Sequence, residues 1–420
     1  MLCNMVIMKE LYSLAEVADM VGCSKETLRR WEGSGKLNCV RNPMNNYRYY
    51  KREELEKIPQ CQILFQKPSK NAFYKAKRPY KTIELFAGGG GLAVGFEQAG
   101  FDHVALSELD HWCCETLRKN RPDWNVIEGD VSKVSFEQYK GEVDVVTGGF
   151  PCQAFSYAGE RRGFEDARGT LFYEFARVVK EVQPKIAIGE NVRGLLTHDN
   201  GKTIKTMVGI LESLGYVVLE PRLLKAIFYK VPQKRERVAI VAIRKDLFDK
   251  AEFEFPEPFA RVYTLRDALK KGELYDCDVP KSEGQKYPPS KEKVLAMVPP
   301  GGYWRDLPVE IQKSYMKKSF YLEGGKTGMA RRLSWDEPSL TLTCAPAQKQ
   351  TERCHPEETR PLTVREYARI QTFPDTWQFE GSISAKYKQI GNAVPVNLAT
   401  AIASSVARFL DQLSEQDNIH

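Results

Sequence analysis

Four short stretches of this 420-residue chain combine residue types that can do chemistry. In Glu84-Leu85-Phe86-Ala87-Gly88-Gly89-Gly90-Gly91 the glycines let backbone approach a ligand, and Glu108, farther on, can accept both hydroxyls of a ribose. Gly88, Gly90 and Ala93 meet the permissive spacing of a dinucleotide fingerprint, whereas no Lys-Ser/Thr pair follows as a P-loop requires. The ligand indicated is adenosine-like, with or without a pyrophosphate. Gly148-Gly149-Phe150-Pro151-Cys152-Gln153 sets a thiol behind a proline, and a thiolate there could attack an electrophilic carbon. Glu190-Asn191-Val192 offers a carboxylate. In Gln233-Lys234-Arg235-Glu236-Arg237 the two arginines share a face by the two-residue period of a strand.

Positioning these groups requires strands that end just before them. Short β-branched runs predict strands at Thr82–Leu85, His103–Ser107, Val143–Thr147, Ile186–Gly189 and Val238–Ile243. Helical periodicity falls between or after them at Leu92–Ala99, Leu171–Val182 and Thr203–Leu214. Such alternation predicts a doubly wound α/β sheet, whose ligands sit at the carboxyl ends of the strands. The glycine loop, Glu108, Cys152 and Glu190 then share one rim.

Ahead of that body lies a basic leader. Through Lys81 there are sixteen Lys and Arg against eight Asp and Glu, while the remainder is close to neutral, so the leader carries the whole net charge of +7. That asymmetry suggests attachment to a polyphosphate. Ser13-Leu14-Ala15-Glu16 has the form of a capping box opening a helix at Leu14, which Gly22 breaks. Ser24 caps a second helix through Lys25 to Glu32, and Gly33-Ser34-Gly35 ends it. This helix exposes Lys25, Arg29 and Arg30 and turns Leu28 and Trp31 inward, and Arg48 lies among Tyr47, Tyr49 and Tyr50. The layout, from about Leu11 to Ile58, resembles the winged helix-turn-helix of mercury-resistance-type regulators and phage excisionases. Between Gln60 and Lys81 periodicity fades into a basic linker or strand-binding arm.

With 42% hydrophobic and 28% charged residues the chain has a globular composition, and no apolar run approaches the roughly 20 residues that span a bilayer. A secretory signal is absent from the start, so a cytoplasmic protein without membrane contact is expected. The ten cysteines form no CxxC pair and read mostly as buried small hydrophobes; Cys344, Cys354 and His355 have no ligand spacing, and no metal is expected.

Together the blocks identify the chain, from about Lys81 to its end, as a member of the cytosine-5 DNA methyltransferase family. They comprise the glycine loop, Gly129-Asp130, Phe150 to Gln153, Arg168 to Leu171, Glu190 to Val192 and Gln233 to Arg237. Arg365-Glu366 with Gln371-Thr372-Phe373-Pro374, and Gln389 to Pro395, follow in the same order. The resemblance implies a Rossmann-like S-adenosylmethionine-dependent sheet over 81–250 and 360–420, and a target-recognition domain over 251–359. The winged helix-turn-helix then occupies 1–59 and the linker 60–80.

The same resemblance implies the chemistry. Cys152 adds to carbon 6 of a flipped-out cytosine, so that carbon 5 can take the methyl group. Glu190 holds ring nitrogen 3 and the exocyclic amine, Arg237 binds the carbonyl oxygen and Arg235 orients that segment. S-adenosylmethionine is expected against Phe86, Ala87, Gly88 and Gly90, with Glu108 on the ribose and Asp130 and Val131 at the adenine. Pro151, Leu171, Asn392 and Val394 surround the rest. No Asp/Asn-Pro-Pro-Tyr/Phe segment is present, which separates transfer to carbon from transfer to nitrogen. Double-stranded DNA is the expected partner, contacted by Gln153, Ser156, Arg168, Gln233, Arg331, Arg332 and Thr341 as well as by the leader. The stretch from Cys152 to Arg168 has the composition of a closing loop. The resemblance further implies a monomer, and a restriction endonuclease that acts on the same site without stable binding. Two other readings keep parts of this pattern: a repressor with a methyltransferase-like body, and an RNA cytosine-5 methyltransferase.

Overall fold

The computed structural model describes residues 10–21, 25–42, 46–58, 61, 72–151, 170–259, 261–322 and 326–417. The chain divides into two units, one made of residues 1–72 with 228–230 and 257–262, the other of the remainder.

In the first unit, β1 (Leu11–Ser13) runs into α1 (Leu14–Val21), followed by α2 (Lys25–Gly33), β2 (Val40–Arg41), β3 (Arg48–Lys51) and α3 (Arg52–Leu55). The capping box forms as expected: Glu16 N donates to Ser13 Oγ at 3.3 Å and Ser13 N to Glu16 Oε2 at 2.8 Å. The strands pair antiparallel in the order β1-β3-β2, a small wing beside the two helices. Tyr12, Val17, Leu28, Tyr50 and Leu55 form its core, whereas Trp31 is only half-buried, with the Lys36 ammonium 4.3 Å over its ring. Gly22 and Ser24 lie outside the described residues.

The second unit is built on an eight-stranded sheet. Its strands are β4 (Tyr80–Leu85), β5 (Phe101–Glu108), β6 (Val126–Glu128), β7 (Val145–Gly148), β8 (Ile186–Val192), β9 (Tyr216–Val218), β10 (Arg222–Lys225) and β12 (Glu236–Arg244). They run β10-β12-β8-β7-β4-β5-β6, with β9 also on β12. From β8 to β6 every pairing is parallel, and β12 returns antiparallel to β8, β9 and β10. Helices α4 (Gly91–Gln98), α5 (His111–Asn120), α6 (Leu171–Val182) and α7 (Lys202–Ser213) connect or flank the strands. The order grows outward from β4 in one direction and from β7 in the other, so the switch point at which such sheets bind ligands falls between these two strands. The predicted strands and helices are all present: four of the strands are two or three residues longer, the strand expected at Val143–Thr147 runs Val145–Gly148, and the helices keep their length within a shift of one residue; β6, β9 and β10 of this sheet were not anticipated.

Just before β12, β11 (Gln233–Lys234) pairs parallel with the later β13 (Ser339–Leu340), and beyond β12 come helices α8 (Leu265–Leu269), α9 (Pro289–Ala296) and α10 (Val309–Met316). The region between 287 and 354 has an apolar cluster of its own around Leu295, Trp304, Met316 and Cys354, while Leu265, Ala268 and Leu269 join the cluster of α11 (Val364–Ile370) and α12 (Ile383–Asn392). The last described element is α13 (Val396–Asp417), which packs on α4.

One expectation needs correction. Residues from Phe73 onward are not free linker: Tyr74 Oη, Lys77 N and Tyr80 Oη all donate to the Asp411 carboxylate of α13, at 2.8, 3.1 and 2.7 Å. The stretch Ile383–Gln416 is long and apolar enough to cross a membrane, although no single run announces it; 89% of its most apolar window is buried, which makes it a core element.

Candidate functional site

The glycine loop leaves β4 with strained backbone. Phe86 takes φ 58°, Gly88 54° and Gly90 87°. A Cβ on Gly90 would come within 2.7 Å of the Trp377 ring, and Trp377 Nε1 donates to Gly89 O at 3.1 Å, so a buried tryptophan from far along the chain holds the loop from beneath. Around Gly88 a Cβ would meet nothing within 4 Å, which marks the open side of the cradle. Glu108 at the end of β5 closes it: Oε2 accepts from Gly88 N at 2.7 Å, and Oε1 from Leu109 N and Asp110 N at 2.8 Å each. Ala87 is buried beside the loop.

Asp130 is exposed at the end of β6, where it accepts from Ser132 N and Oγ; these bonds hold its carboxyl below the usual range. The following Val131 is buried. Leu171 opens α6 behind Thr170, whose hydroxyl accepts from Tyr173 N at 3.1 Å. Asn392 is exposed at the end of α12, and buried Val394 puts its carbonyl against Gly91, where a Cβ would lie 2.2 Å from the oxygen. Only glycine permits that approach.

The second cluster lies across the switch point. Because β12 runs antiparallel to β8, its beginning lies beside the end of β8, with Ala239 opposite Glu190 and Arg237 opposite Val192. Arg237 therefore shares the face of Glu190 on a diagonal, and Arg237 Nε lies 2.6 Å from Glu190 Oε1. Burial pushes the Glu190 carboxyl up, against the pull of Arg237 and then Arg235; burial likewise lowers Arg237. Gly149 leaves space here, since a Cβ would stand 3.1 Å from Glu190 Oε2. Asn191 Nδ2 donates to Phe150 O at 2.8 Å, tying the residues before exposed Pro151 to β8. Cys152, Gln153, Ser156 and Arg168 lie outside the described residues.

Arg235 is 2% exposed and bonds only carbonyls, those of Leu342, Gly391 and Asn392; burial lowers its pKa to about 9. Two residues expected to face DNA, Gln233 and Arg332, are buried instead. Gln233 has no exposed surface and bonds Gln371 and Leu342. Arg332 is 4% exposed, gripped by the carbonyls of Leu295, His355 and Pro356 and by Thr359 Oγ1. Arg48 pairs with Glu32 at 2.7 Å, bracing the wing. Such polar groups read as exposed from sequence because their partners are distant in the chain. Arg331 is half-buried, whereas Thr341 is exposed, as are Lys25, Arg29 and Arg30 along α2. Of the described cysteines Cys61, Cys113, Cys114 and Cys354 are buried, but Cys277 and Cys344 are exposed. Among the described residues the one set of His, Asp, Glu and Cys groups close enough to share an ion is His111, Glu115 and Glu128, whose carboxylates already pair with Arg118.

Comparison with known proteins follows this division. The model of the C-5 cytosine-specific DNA methylase family matches residues 80–408, and that of the MerR HTH family of regulatory proteins matches residues 12–68. The chain is 65% identical over 410 residues to the type II methyltransferase M.Eco47II of Escherichia coli, covering 98% of each protein. It is 57% identical to M.PspPI of a Psychrobacter strain, covering 95% of this chain and 96% of that protein. It is 51% identical to M.Sau96I of Staphylococcus aureus, covering 81% and 78%. Among solved structures, a DNA modification methyltransferase from an Escherichia coli prophage superposes with a TM-score of 0.57 at 24% identity, over 79% of this chain and 99% of that one. The Dnmt2 methyltransferase of S. pombe gives 0.53 at 17% identity, over 80% and 99%. At those identities the likeness speaks for the fold.

Proposed function

The chain belongs to the C-5 cytosine-specific DNA methylase family and is a DNA cytosine methyltransferase of the restriction-modification kind, and on that premise we propose how its residues carry out the transfer. The observation that carries the reading is the Glu190–Arg237 pair, buried at a strand end beside Gly149, where the neighbouring Asn191 donates to Phe150 O, two residues before Cys152.

Cys152 adds as thiolate to carbon 6 of cytosine in double-stranded DNA. A free thiol of pKa about 8.5 is only a few per cent ionised near neutrality, so the ring must be activated at the same time. Glu190 does this: a carboxyl pushed up by burial can keep or give a proton at ring nitrogen 3. Arg237 stabilises charge developing on the carbonyl oxygen, and Arg235 is a positioning residue for it. The loop with Gly88 open on one side, and Glu108 at its rim, fits an adenosine. S-adenosylmethionine when bound supplies the methyl group. Phe86, Ala87, Gly88, Gly90 and Glu108 would hold its nucleoside with Asp130 and Val131, and Pro151, Leu171, Asn392 and Val394 the remainder.

Residues 81–250 and 360–420 serve as the catalytic domain in this reading, 251–359 as the target-recognition domain and 1–59 as a winged helix-turn-helix for the enzyme's own promoter. The enzyme acts as a cytoplasmic monomer, and a cognate endonuclease shares its site without stable binding. Bisulfite sequencing of plasmid from cells making the protein, beside a Cys152→Ser control, tests the reading. Protected cytosines in one short context, lost in the control, support it. If soluble protein that binds S-adenosylmethionine protects none, the substrate is RNA or the chain is a regulator.

A further inference from the structure

Two buried amides and one buried guanidinium meet where the segment bearing Thr341, just after β13, touches the end of α12 at Asn392. Gln233 Nε2 donates to Gln371 Oε1 at 2.8 Å, and Gln371 Nε2 donates to Ile390 O at 2.7 Å and Ala393 O at 3.1 Å. Arg235 takes the two carbonyls between, Gly391 O at 3.0 Å and Asn392 O at 3.3 Å. Four successive carbonyls at the end of α12 are thus held by two side chains. These are the acceptors a helix C-terminus leaves without partners, and they form its negative pole, which suits a buried cation lacking a directly bonded carboxylate.

The same side chains grip the segment after β13. Leu342 N donates to Gln233 Oε1 at 3.0 Å, and Leu342 O accepts from Arg235 at 3.3 Å. Gly391 has no room for a side chain, because a Cβ would lie 2.6 Å from Thr343 O. The segment 341–343 that follows β13 therefore rests on the end of α12 at residues 390–393 with no slack. Gln233 and Gln371 have no exposed surface, so neither can contact a ligand itself. Each amide uses both its donor and its acceptor ends, an arrangement whose polarity admits one orientation.

We propose that Gln233 and Gln371, with Arg235, are positioning residues that lock the DNA-side segment at Thr341 to the donor-side helix end at Asn392, so that DNA and methyl donor each strengthen binding of the other. The proposal rests on the reading above, in which Thr341 faces DNA and Asn392 the donor. A shift at one end must move the other or break a buried hydrogen bond, and coupling of this kind is reciprocal.

The test uses the full-length protein and S-adenosylhomocysteine as the donor-side probe. Duplex DNA carrying the site found by bisulfite sequencing is titrated by fluorescence anisotropy with and without saturating probe, and calorimetry gives probe binding alone. In the wild type the probe should tighten DNA binding by about fivefold or more. Gln371→Met keeps the volume and removes the bonds, and should bring that factor near one while leaving either ligand alone within about threefold. Gln233→Glu, which keeps the acceptor for Leu342 N but turns the Gln371 amide away from the carbonyls, should do the same. A factor unchanged in both variants, a wild-type factor of one, or separate affinities that fall together with the melting temperature would each overturn the proposal. Absence of methylation by the wild type would instead strike at the functional reading on which it rests.

Discussion

Glu190 occupies a place that disfavours its own charge, and that conflict is measurable in two ways. As the group that protonates or polarises the ring, it should be worth about 10²- to 10⁴-fold, so Glu190→Gln is expected to lower kcat by that factor in a tritiated-methyl assay. The second effect has a sign. Burial raises the folded carboxyl above its ordinary value of 4.5, so between that value and the raised one the folded state holds a proton the unfolded state has lost. Wild-type stability relative to Glu190→Gln should therefore decline as pH climbs from about 4.5 through the raised folded value. Urea unfolding of both proteins at pH 4, 6 and 8 checks this; a gap moving the other way would mean that Arg237 outweighs burial. Glu190 was legible in the sequence as a carboxylate at a strand end, whereas Arg237 was singled out by the family resemblance, since its place beside Glu190 depends on the antiparallel return of β12 onto β8. Gln233 was misread as facing DNA, because its burial depends on Leu342 and Gln371, more than a hundred residues away.

At the scale of elements, glycines separate tight contacts from idle ones. Gly95 of α4 faces α13 so closely that a Cβ would lie 2.3 Å from Ala399 Cβ and 2.7 Å from Thr400 N. Gly95→Ala must push the helices apart, an overpacking cost of about 1–3 kcal/mol that the better helix propensity of alanine, about 1 kcal/mol, only partly offsets. The unfolding midpoint should fall, and affinity for S-adenosylhomocysteine with it, since α4 opens on the glycine loop. Gly209 in α7 is the contrast: a Cβ there meets nothing within 4 Å, and Gly209→Ala should stabilise by about 0.5–1 kcal/mol without touching activity. The alternation of strands and helices was readable because each carries its own periodicity. The docking of Phe73 to Tyr80 on α13 was not, because a lysine-rich stretch looks solvated until Asp411 is brought beside it.

For the whole molecule the charge division found in the sequence and the division in structure fall at different places. The units part between Ala72 and Phe73, so that Lys75, Lys77, Arg78 and Lys81, half of the basic excess counted through Lys81, belong to the second unit. Phe73 to Tyr80 belong to the catalytic body through Asp411, so a cut at Lys81 would remove part of that body and confuse loss of folding with loss of the leader. A cut before Phe73 avoids this. That truncated chain should methylate the same cytosines by bisulfite sequencing, since the carbonyl-held turn, the glycine loop and the Glu190–Arg237 pair all lie within the retained unit. It should lose repression of a reporter driven by its own promoter, because exposed Lys25, Arg29 and Arg30 of α2 are gone. In the intact protein Arg29→Ala with Arg30→Ala should weaken promoter binding and lower its salt slope by about two, while methylation persists, as expected when each arginine displaces roughly one counterion. Promoter repression surviving both changes would deny the leader a regulatory use; methylation failing with the leader would make it part of target binding.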